Sequence, residues 1–157
     1  MTKLRISWST EFILLDDEDY ERCKHYSWHI AGEDKSNIRG WANNKMVGLS
    51  QHIMNDYKSM YDHKDRNFLN NQKENLRICS NSQNQMNTDK RDNTSSQYKG
   101  VSYNKKKKKW TAQIVVNKAK NHLGYFVSEK DAAKTYNQAA LKYFKEFAVI
   151  NQFDDLP

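Results

Sequence analysis

The sequence has few of the residues that impose the strongest covalent constraints on a chain. It has one proline, Pro157, and two cysteines, Cys23 and Cys79, which lie far apart and outside any Cys-x-x-Cys pair. A zinc site built on thiolates is therefore not expected. Cys79 lies in an apolar stretch, which favours a buried reduced thiol over a reactive one.

Long apolar runs are also missing. Hydrophobic residues make up 37% of the 157 residues, and because no long stretch is uncharged, the sequence predicts neither a transmembrane helix nor a membrane partner. The charged N-terminus lacks the apolar region of a signal peptide, which favours a soluble intracellular protein. A chain of this length forms one domain or two small ones.

Positive charge is unevenly distributed along the chain. The formal net charge is +7 and the sequence pI is about 9.3. Residues 91–157 hold 13 Lys and Arg against 6 Asp and Glu, whereas residues 1–90 hold 13 of each kind. Phosphate neutralisation provides most of the nonspecific affinity for nucleic acid, so this pattern favours a polyanion-binding C-terminal part. Basic chains without a polyanionic partner are also common.

The polar segment 88–97 has no apolar residue and separates two patterned regions, so we interpret it as a linker. The region before it predicts strands and one helix: strands over Phe12–Leu15, Trp28–Ile30 and Met46–Leu49, and a helix from the acidic run Asp16–Asp19 to about His25. Three histidines of this region lack metal-ligand spacing, which favours surface or packing roles: His25, His29 and His52.

One short span combines an imidazole, a carboxylate and several carboxamides. Asp62 and His63 end a predicted strand, a turn follows, Leu76–Cys79 is a second strand, and a polar helix begins at Ser80 or Ser82. A hairpin followed by a helix brings Asp62 and His63 close to Asn84. Each residue alone is ordinary, but together they are typical of a nuclease that holds one hard metal ion beside one general base.

The motifs of this span resemble those of HNH endonucleases, specifically the phage-type homing form, over residues 46–87. The matching motifs are Asp62-His63-Lys64-Asp65, Leu69-Asn70-Asn71, Glu74-Asn75-Leu76-Arg77 and Ser82-Gln83-Asn84-Gln85. The Leu-His-Arg that the family usually has upstream stands here as Leu49-Ser50-Gln51.

The HNH resemblance implies a ββα-metal nuclease module in the cytoplasm of a phage or bacterial host cell. In such a module His63 takes a proton from the attacking water, and Asp62 and Asn84 hold Mg²⁺ or Mn²⁺. Asn75 is expected to tie the loop between the strands. Arg77 either contacts a DNA phosphate or forms a surface pair with an acidic residue.

The region after the linker has strand alternation followed by helical spacing. Trp110–Val116 alternates between a packed face and an available one, and His122–Phe126 predicts a third strand of a small antiparallel sheet. Ser128–Asp131 is a plausible capping box for a covering helix. Residues at helical spacing are expected to lie on its packed side: Ala132, Ala133, Tyr136, Ala139, Ala140, Tyr143 and Phe147. This spacing favours core aromatics over stacking platforms.

The C-terminal region resembles the APETALA/ethylene-response-factor DNA-binding domain. The motifs that carry the resemblance are Tyr98-Lys99-Gly100-Val101, Lys109–Ile114, Leu123-Gly124-Tyr125-Phe126 and Ala132–Ala140. The resemblance implies that the open sheet face lies in the major groove of DNA. The DNA-facing residues that it implies are Lys99, Ser102, Asn104, Lys109, Gln113, Lys120, His122 and Tyr125. In that position the lysine run 105–109 is better explained by phosphate contact than by solvation alone.

The sequence as a whole predicts an α+β protein, with a nuclease module over 1–87, a linker over 88–97, and a three-stranded antiparallel sheet packed on one helix over 98–151. The expected function is metal-dependent cutting of double-stranded DNA by a monomer. The main alternative is a DNA-binding regulator with an inactive HNH module. A remoter one is a protein-binding factor that interferes with a nucleic-acid enzyme.

Overall fold

The computed structural model describes residues 1–32, 37–42, 44–88, 90 and 94–153. The chain divides into two compact units, Met1–Asn84 and Gln85–Pro157. The described residues of both units combine helices with small antiparallel sheets, so the fold class is α+β, as expected. No helix in the described part of the chain is long and apolar enough to cross a membrane.

The first unit is built from short elements that pair locally. In chain order they are β1 (Thr2–Arg5), β2 (Phe12–Leu15), α1 (Asp17–Cys23), β3 (Trp28–Ala31), β4 (Asn37–Ala42), β5 (Lys45–Gly48), α2 (Leu49–Met54), β6 (Met60–His63), a 3₁₀ turn (Lys73–Asn75), β7 (Leu76–Cys79) and α3 (Asn81–Met86), whose last two residues belong to the second unit. Strand β1 pairs with β2, β4 pairs with both β3 and β5, and β6 pairs with β7, all antiparallel. The inward-facing residues of these strands form one core together with residues of α1 and α2.

Trp28 is a fully buried residue of this core and restricts which residue fits opposite it in β4. Its indole Nε1 donates a hydrogen bond to the Cys23 carbonyl over 3.0 Å. Gly40 of β4 lies directly opposite Trp28, and a Cβ on Gly40 would lie 2.7 Å from the Trp28 ring. Only glycine fits at that position, so the core admits the large indole by excluding a side chain from the facing strand.

The predicted strands and helices of the first unit are present, some of them with shifted ends, whereas β1 and β4 were not predicted. The strand expected over Met46–Leu49 ends at Gly48, because Leu49 begins α2. The N-terminal acid Asp16 makes no side-chain cap to α1 and instead accepts hydrogen bonds from Gln72 Nε2 and Lys73 N. Asp16 therefore joins the start of α1 to the loop that precedes β7.

The second unit contains β8 (Val101–Asn104), β9 (Lys109–Val116), β10 (Ala119–Phe126), α4 (Glu129–Phe144) and a 3₁₀ turn (Lys145–Phe147). The strand order is β10-β9-β8, and α4 packs its alanines and Tyr136 against one face of this sheet. Ser128 caps α4 by accepting a hydrogen bond from Asp131 N. The expectation for Tyr143 was wrong, since it is exposed and Phe144 is buried in its place.

The C-terminal part of the predicted linker 88–97 is hydrogen-bonded to the second unit. Residues 89 and 91–93 lie outside the described part of the chain. Ser96 Oγ donates a hydrogen bond to Glu129 at 2.6 Å, and Ser95 Oγ accepts one from Tyr103 N at 2.8 Å. Ser95 and Ser96 are therefore structural parts of the second unit.

Candidate active site and DNA-binding face

Strands β6 and β7 place the predicted acid and base at consecutive positions of a hairpin. In the register of the pair, Asp62 lies opposite Arg77 and His63 lies opposite Leu76. Because successive side chains of a strand point to opposite faces, Asp62 and Arg77 share one face and His63 and Leu76 the other. Asp62 is 4% exposed, and His63 is partly buried.

The His63 ring is held by an amide from the loop between the strands. His63 Nε2 lies 3.1 Å from Asn71 Oδ1, and Asn71 Nδ2 donates to the Phe68 carbonyl over 2.8 Å. Burial lowers the pKa of His63, against the smaller opposing effects of the Asn71 hydrogen bond and the nearby carboxylates. A lowered pKa keeps the imidazole neutral near pH 7, which is the form that can accept a proton.

Asn75 cross-links the two ends of the same loop. Its Oδ1 accepts a hydrogen bond from Asp65 N, and its Nδ2 donates to Asp65 Oδ1 at 2.9 Å and to the Asn70 carbonyl at 2.7 Å. Asn75 is buried, and its side chain fully uses both ends of the amide. This geometry is that of a loop-fastening residue.

Asp62 and Arg77 form an ion pair across the hairpin. Arg77 Nε and NH2 both approach Asp62 Oδ2, at 2.8 and 2.7 Å, and both side chains are largely buried. Of the two roles expected for Arg77, the structure therefore favours pairing with an acid, in the interior rather than at the surface. A phosphate contact by Arg77 would compete with this pair.

Asn84 lies on α3, which follows β7 closely. Ser80 and Gln83 bond reciprocally at the start of the helix, and Asn84 N donates to the Ser80 carbonyl. The side chain of Asn84 is exposed. It is therefore fixed through its backbone at the first turn after β7.

The oxygen donors of Asp62 and Asn84 fit a hard divalent cation in their chemistry. Among the described residues, however, no group of three or more His, Cys, Asp or Glu side chains could hold a metal ion. A metal bound at Asp62 would therefore need ligands of other kinds, such as a carboxamide oxygen, water or phosphate, to complete its shell.

Two residues that contact the His63 ring or the loop between β6 and β7 were not among the predicted site residues. Asn71 contacts His63, and Asp65 accepts bonds from Asn67 N, Asn70 Nδ2 and Asn75 Nδ2. Both residues lie inside the matched motifs, but motif spacing alone assigns neither of them a partner. Their contacts follow from the course of the loop.

The histidine that stands near the altered Leu49-Ser50-Gln51 segment is a core residue. His52 is buried, its Nδ1 lies 3.0 Å from Tyr57 OH, and its ring packs edge-on against Tyr26 and at a tilt against Trp28. Burial lowers the pKa of His52, and the positive charge of Arg22 adds to this effect. The packing role expected for His52 is the one that the structure shows.

The open face of the second sheet forms a groove of about 430 Å³. Six of the eight residues predicted there line the groove: Ser102, Asn104, Gln113, Lys120, His122 and Tyr125. The cross-strand neighbours Gln113 and His122 lie opposite each other, and Tyr103 and Thr111 complete the lining without having been predicted. Polar and aromatic groups therefore converge on one exposed surface.

A β-bulge brings Tyr125 to this face. The register between β9 and β10 shifts between His122 and Gly124, and Gly124 has a φ of +141°. The shift turns Leu123 and Phe126 toward the helix side and leaves Tyr125 outside, where its ring centroid lies 4.4 Å from that of His122. Simple strand alternation would separate these two rings.

Lysines around the groove differ in their availability. Lys99 donates to the carbonyls of Met86, at 2.9 Å, and Thr88, so it is engaged within its own unit rather than lining the groove. Lys109 is exposed opposite Asn104, and Lys107 lies over the Tyr125 ring with its Nζ 4.0 Å from the centroid. The lysine-rich turn 105–109 thus borders the groove through Lys107.

The first unit thus carries a partly buried histidine, oriented by an amide, that follows a buried carboxylate on a hairpin. The second unit carries a sheet face with basic and aromatic residues. The chain is 37% identical over 93 residues to a curated protein of Acanthamoeba polyphaga mimivirus named as an uncharacterized HNH endonuclease. The match covers 59% of this chain, and the chain spans about half the length of that relative, 47%. The chain is thus similar, over part of its length, to a protein named as an HNH endonuclease.

No protein-family model matches the chain, and no solved structure matches it significantly. The resemblance of the second unit to the APETALA domain therefore has no support from known proteins.

Proposed function

We propose that this protein is a homing-type HNH endonuclease that hydrolyses a phosphodiester bond of double-stranded DNA with the help of Mg²⁺ or Mn²⁺. The observation that carries the proposal is the oriented histidine His63, hydrogen-bonded to Asn71 and adjacent to the buried carboxylate of Asp62. The similarity to a protein named as an HNH endonuclease supports it independently.

In the proposed reaction, His63 takes a proton from the water whose oxygen attacks the phosphorus atom. The bond between phosphorus and the 3′ oxygen breaks, that oxygen gains a proton, and the products carry a 5′-phosphate and a 3′-hydroxyl. Asp62 and Asn84 would hold the divalent ion, which would polarise the phosphate and stabilise charge on the leaving oxygen. Asn75 would keep the loop closed around the base.

The second unit would supply most of the DNA affinity. Gln113, His122 and Lys120 line the groove on its sheet, and the lysine-rich turn lies beside it. In the proposed complex Gln113 and His122 would face bases and Lys120 would face phosphate. The described residues hold one such candidate site, so a monomer would nick one strand at a time.

The test is conversion of supercoiled plasmid to nicked circle with Mg²⁺ or with a chelator, comparing the wild-type protein with Asp62→Asn and His63→Ala. Asp62→Asn is preferred to alanine because it keeps the shape of the side chain beside Arg77. We expect nicking that needs the metal and is lost in both variants. Equal nicking by wild type and His63→Ala would overturn the proposal.

The alternative function is that of a DNA-binding regulator whose nuclease module is inactive. The Arg77 guanidinium that neutralises Asp62 favours this alternative, as does the Leu49-Ser50-Gln51 segment in place of Leu-His-Arg. Tight binding without nicking on genomic and plasmid DNA, at any divalent ion tested, would establish it.

A further inference from the structure

Asn71 is a buried polar residue whose side chain contacts the His63 ring. It is 2% exposed, so water does not compete for its amide. Its Nδ2 donates to the Phe68 carbonyl over 2.8 Å, and its Oδ1 faces His63 Nε2 over 3.1 Å. Both ends of the amide are therefore committed to defined partners.

These two bonds determine where the proton of the neutral imidazole resides. The Phe68 carbonyl can only accept, so the amide nitrogen of Asn71 must point toward it and the amide oxygen toward His63. An amide oxygen also only accepts, so Nε2 of His63 must carry the hydrogen. The other ring nitrogen, Nδ1, is then the one with the lone pair.

Asn71 is itself fixed by a strand outside the matched motifs. Its backbone N donates to the Leu14 carbonyl of β2 over 2.9 Å, and Leu14 N donates to the Leu69 carbonyl over 2.8 Å. Asp16, which follows β2, accepts a hydrogen bond from the backbone N of Lys73, two residues after Asn71. The loop that orients His63 is therefore joined to the N-terminal hairpin on both sides of Asn71.

We propose that Asn71 is a positioning residue that holds His63 in the tautomer with hydrogen on Nε2, so that Nδ1 takes the proton from the attacking water. The first half of this statement concerns the folded protein alone, whereas the second rests on the proposed nuclease function. Strand β2 acts through Asn71 and thus belongs to the catalytic apparatus.

The tautomer is read by ¹⁵N NMR of the imidazole nitrogens in metal-free protein with a chelator, about two pH units above the ordinary histidine pKa, where the rings are neutral. The His63 signals are identified by their loss in His63→Ala. We expect hydrogen on Nε2 in the wild type and in Asn71→Asp, which keeps an oxygen acceptor. Asn71→Leu should give a mixture of tautomers.

The control is Asn70→Ala, which removes a neighbouring amide that bonds Asp65 rather than His63. It should leave the His63 tautomer as in the wild type. Hydrogen on Nδ1 in the wild type, or the same single tautomer in Asn71→Leu, would overturn the assignment. If Asn71→Leu does not fold by circular dichroism, Asn71→Ala replaces it in the same comparison.

Kinetics separate this proposal from the proposed function. Asn71→Leu should lower kcat for plasmid nicking about 10- to 100-fold through loss of orientation, with little change in KM, and Asn71→Asp should restore part of it. An Nε2-protonated His63 in a protein that nicks no DNA would reject the nuclease function and the catalytic half of this proposal, and keep the tautomer assignment. Nicking by Asn71→Leu at the wild-type rate would reject the positioning role alone.

Discussion

At the scale of single residues, the pair between Asp62 and Arg77 determines how substitutions in the site should be interpreted. The two side chains are 5% and 14% exposed and lie opposite each other on β6 and β7. Removing one partner of a buried pair leaves the other charge without compensation. A loss of activity in a truncated variant can then reflect unfolding rather than chemistry.

We predict that Arg77→Ala lowers the free energy of unfolding of the first unit by about 3 kcal/mol, because it removes the guanidinium that compensates the buried Asp62 carboxylate. The measurement is urea unfolding followed by circular dichroism. The matched control is Arg5→Ala, an exposed arginine of β1. An effect no larger than that of Arg5→Ala would contradict the buried role of the pair.

The buried His52 should make stability depend on pH. Its folded pKa is lowered below 6.5 by burial first and by Arg22 second, and Tyr57, Tyr26 and Trp28 also surround the ring. A lowered folded pKa means that the unfolded chain binds the proton more readily. The contribution of His52 is therefore fully present above pH 6.5 and is lost as the pH falls through the lowered folded value.

The measurement is the melting temperature of wild type and His52→Phe between about pH 4.5 and 7.5, a range centred near the ordinary histidine pKa. We expect His52→Phe to have the smaller decrease on acidification, since it removes one group that must be protonated against burial. Parallel curves for the two proteins would show that His52 does not titrate in this way.

At the scale of elements, Gly100 connects the start of the second sheet to its helix. Gly100 has a φ of +76°, and a Cβ there would lie 2.0 Å from Cδ2 of Tyr136 in α4. Both the backbone conformation and the close approach of the ring exclude a side chain. The glycine is therefore needed for α4 to pack where it does.

We predict that Gly100→Ala destabilises the second unit by at least about 2 kcal/mol, through backbone strain and displacement of Tyr136. Thermal unfolding measures this change. Gly48→Ala is the control, because Gly48 has a φ of −74° and a Cβ there would meet only the flexible Gln51 side chain at 3.1 Å. Equal losses in both variants would contradict the reason given for Gly100.

Elements with a clear apolar pattern could be predicted from the sequence, whereas those with a concealed pattern could not. Strands β2, β7 and β9 carry apolar runs or clean alternation, and they lie where that pattern predicts. Strand β4 was missed because Gly40 occupies an inward position that would otherwise signal burial, while Trp41 is exposed. Glycine is required in β4 because position 40 contacts Trp28, and no local sequence pattern reveals that contact.

The same limit applies to the candidate site. Motif order predicts Asp62 and His63 as site residues, because residue type and spacing carry that prediction. The partner of Arg77 depends on strand register, and the role of Asn71 depends on the path of a loop anchored to Leu14. Both depend on tertiary contacts, because each contact joins residues whose separation along the chain does not predict that they meet.

At the scale of the whole molecule, the uneven charge predicts which part determines the salt dependence of DNA binding. The five lysines 105–109 form an exposed turn beside the groove of the second unit. If they contact phosphates, replacing all five with glutamine should reduce the slope of log affinity against log salt by up to about 4.5, since each contact contributes roughly 0.9.

Fluorescence anisotropy with labelled duplex DNA over a range of salt concentrations measures this slope. Lys142→Gln with Lys145→Gln is the control, because these exposed lysines lie near the end of α4 on the other side of the sheet. The control should leave the slope nearly unchanged. An unchanged slope in the five-lysine variant would assign phosphate contact to another surface.

Single-turnover cleavage shows whether His63 is the base of a DNA-cutting site. Saturating protein removes differences in DNA affinity, so the rate with Mg²⁺ reports the chemical step of wild type and His63→Ala on the same DNA. We expect the variant to bind this DNA as tightly as the wild type. It should cleave the DNA at least about 100-fold more slowly, because general-base catalysis is lost. Cleavage by His63→Ala at the wild-type rate would contradict this role of His63.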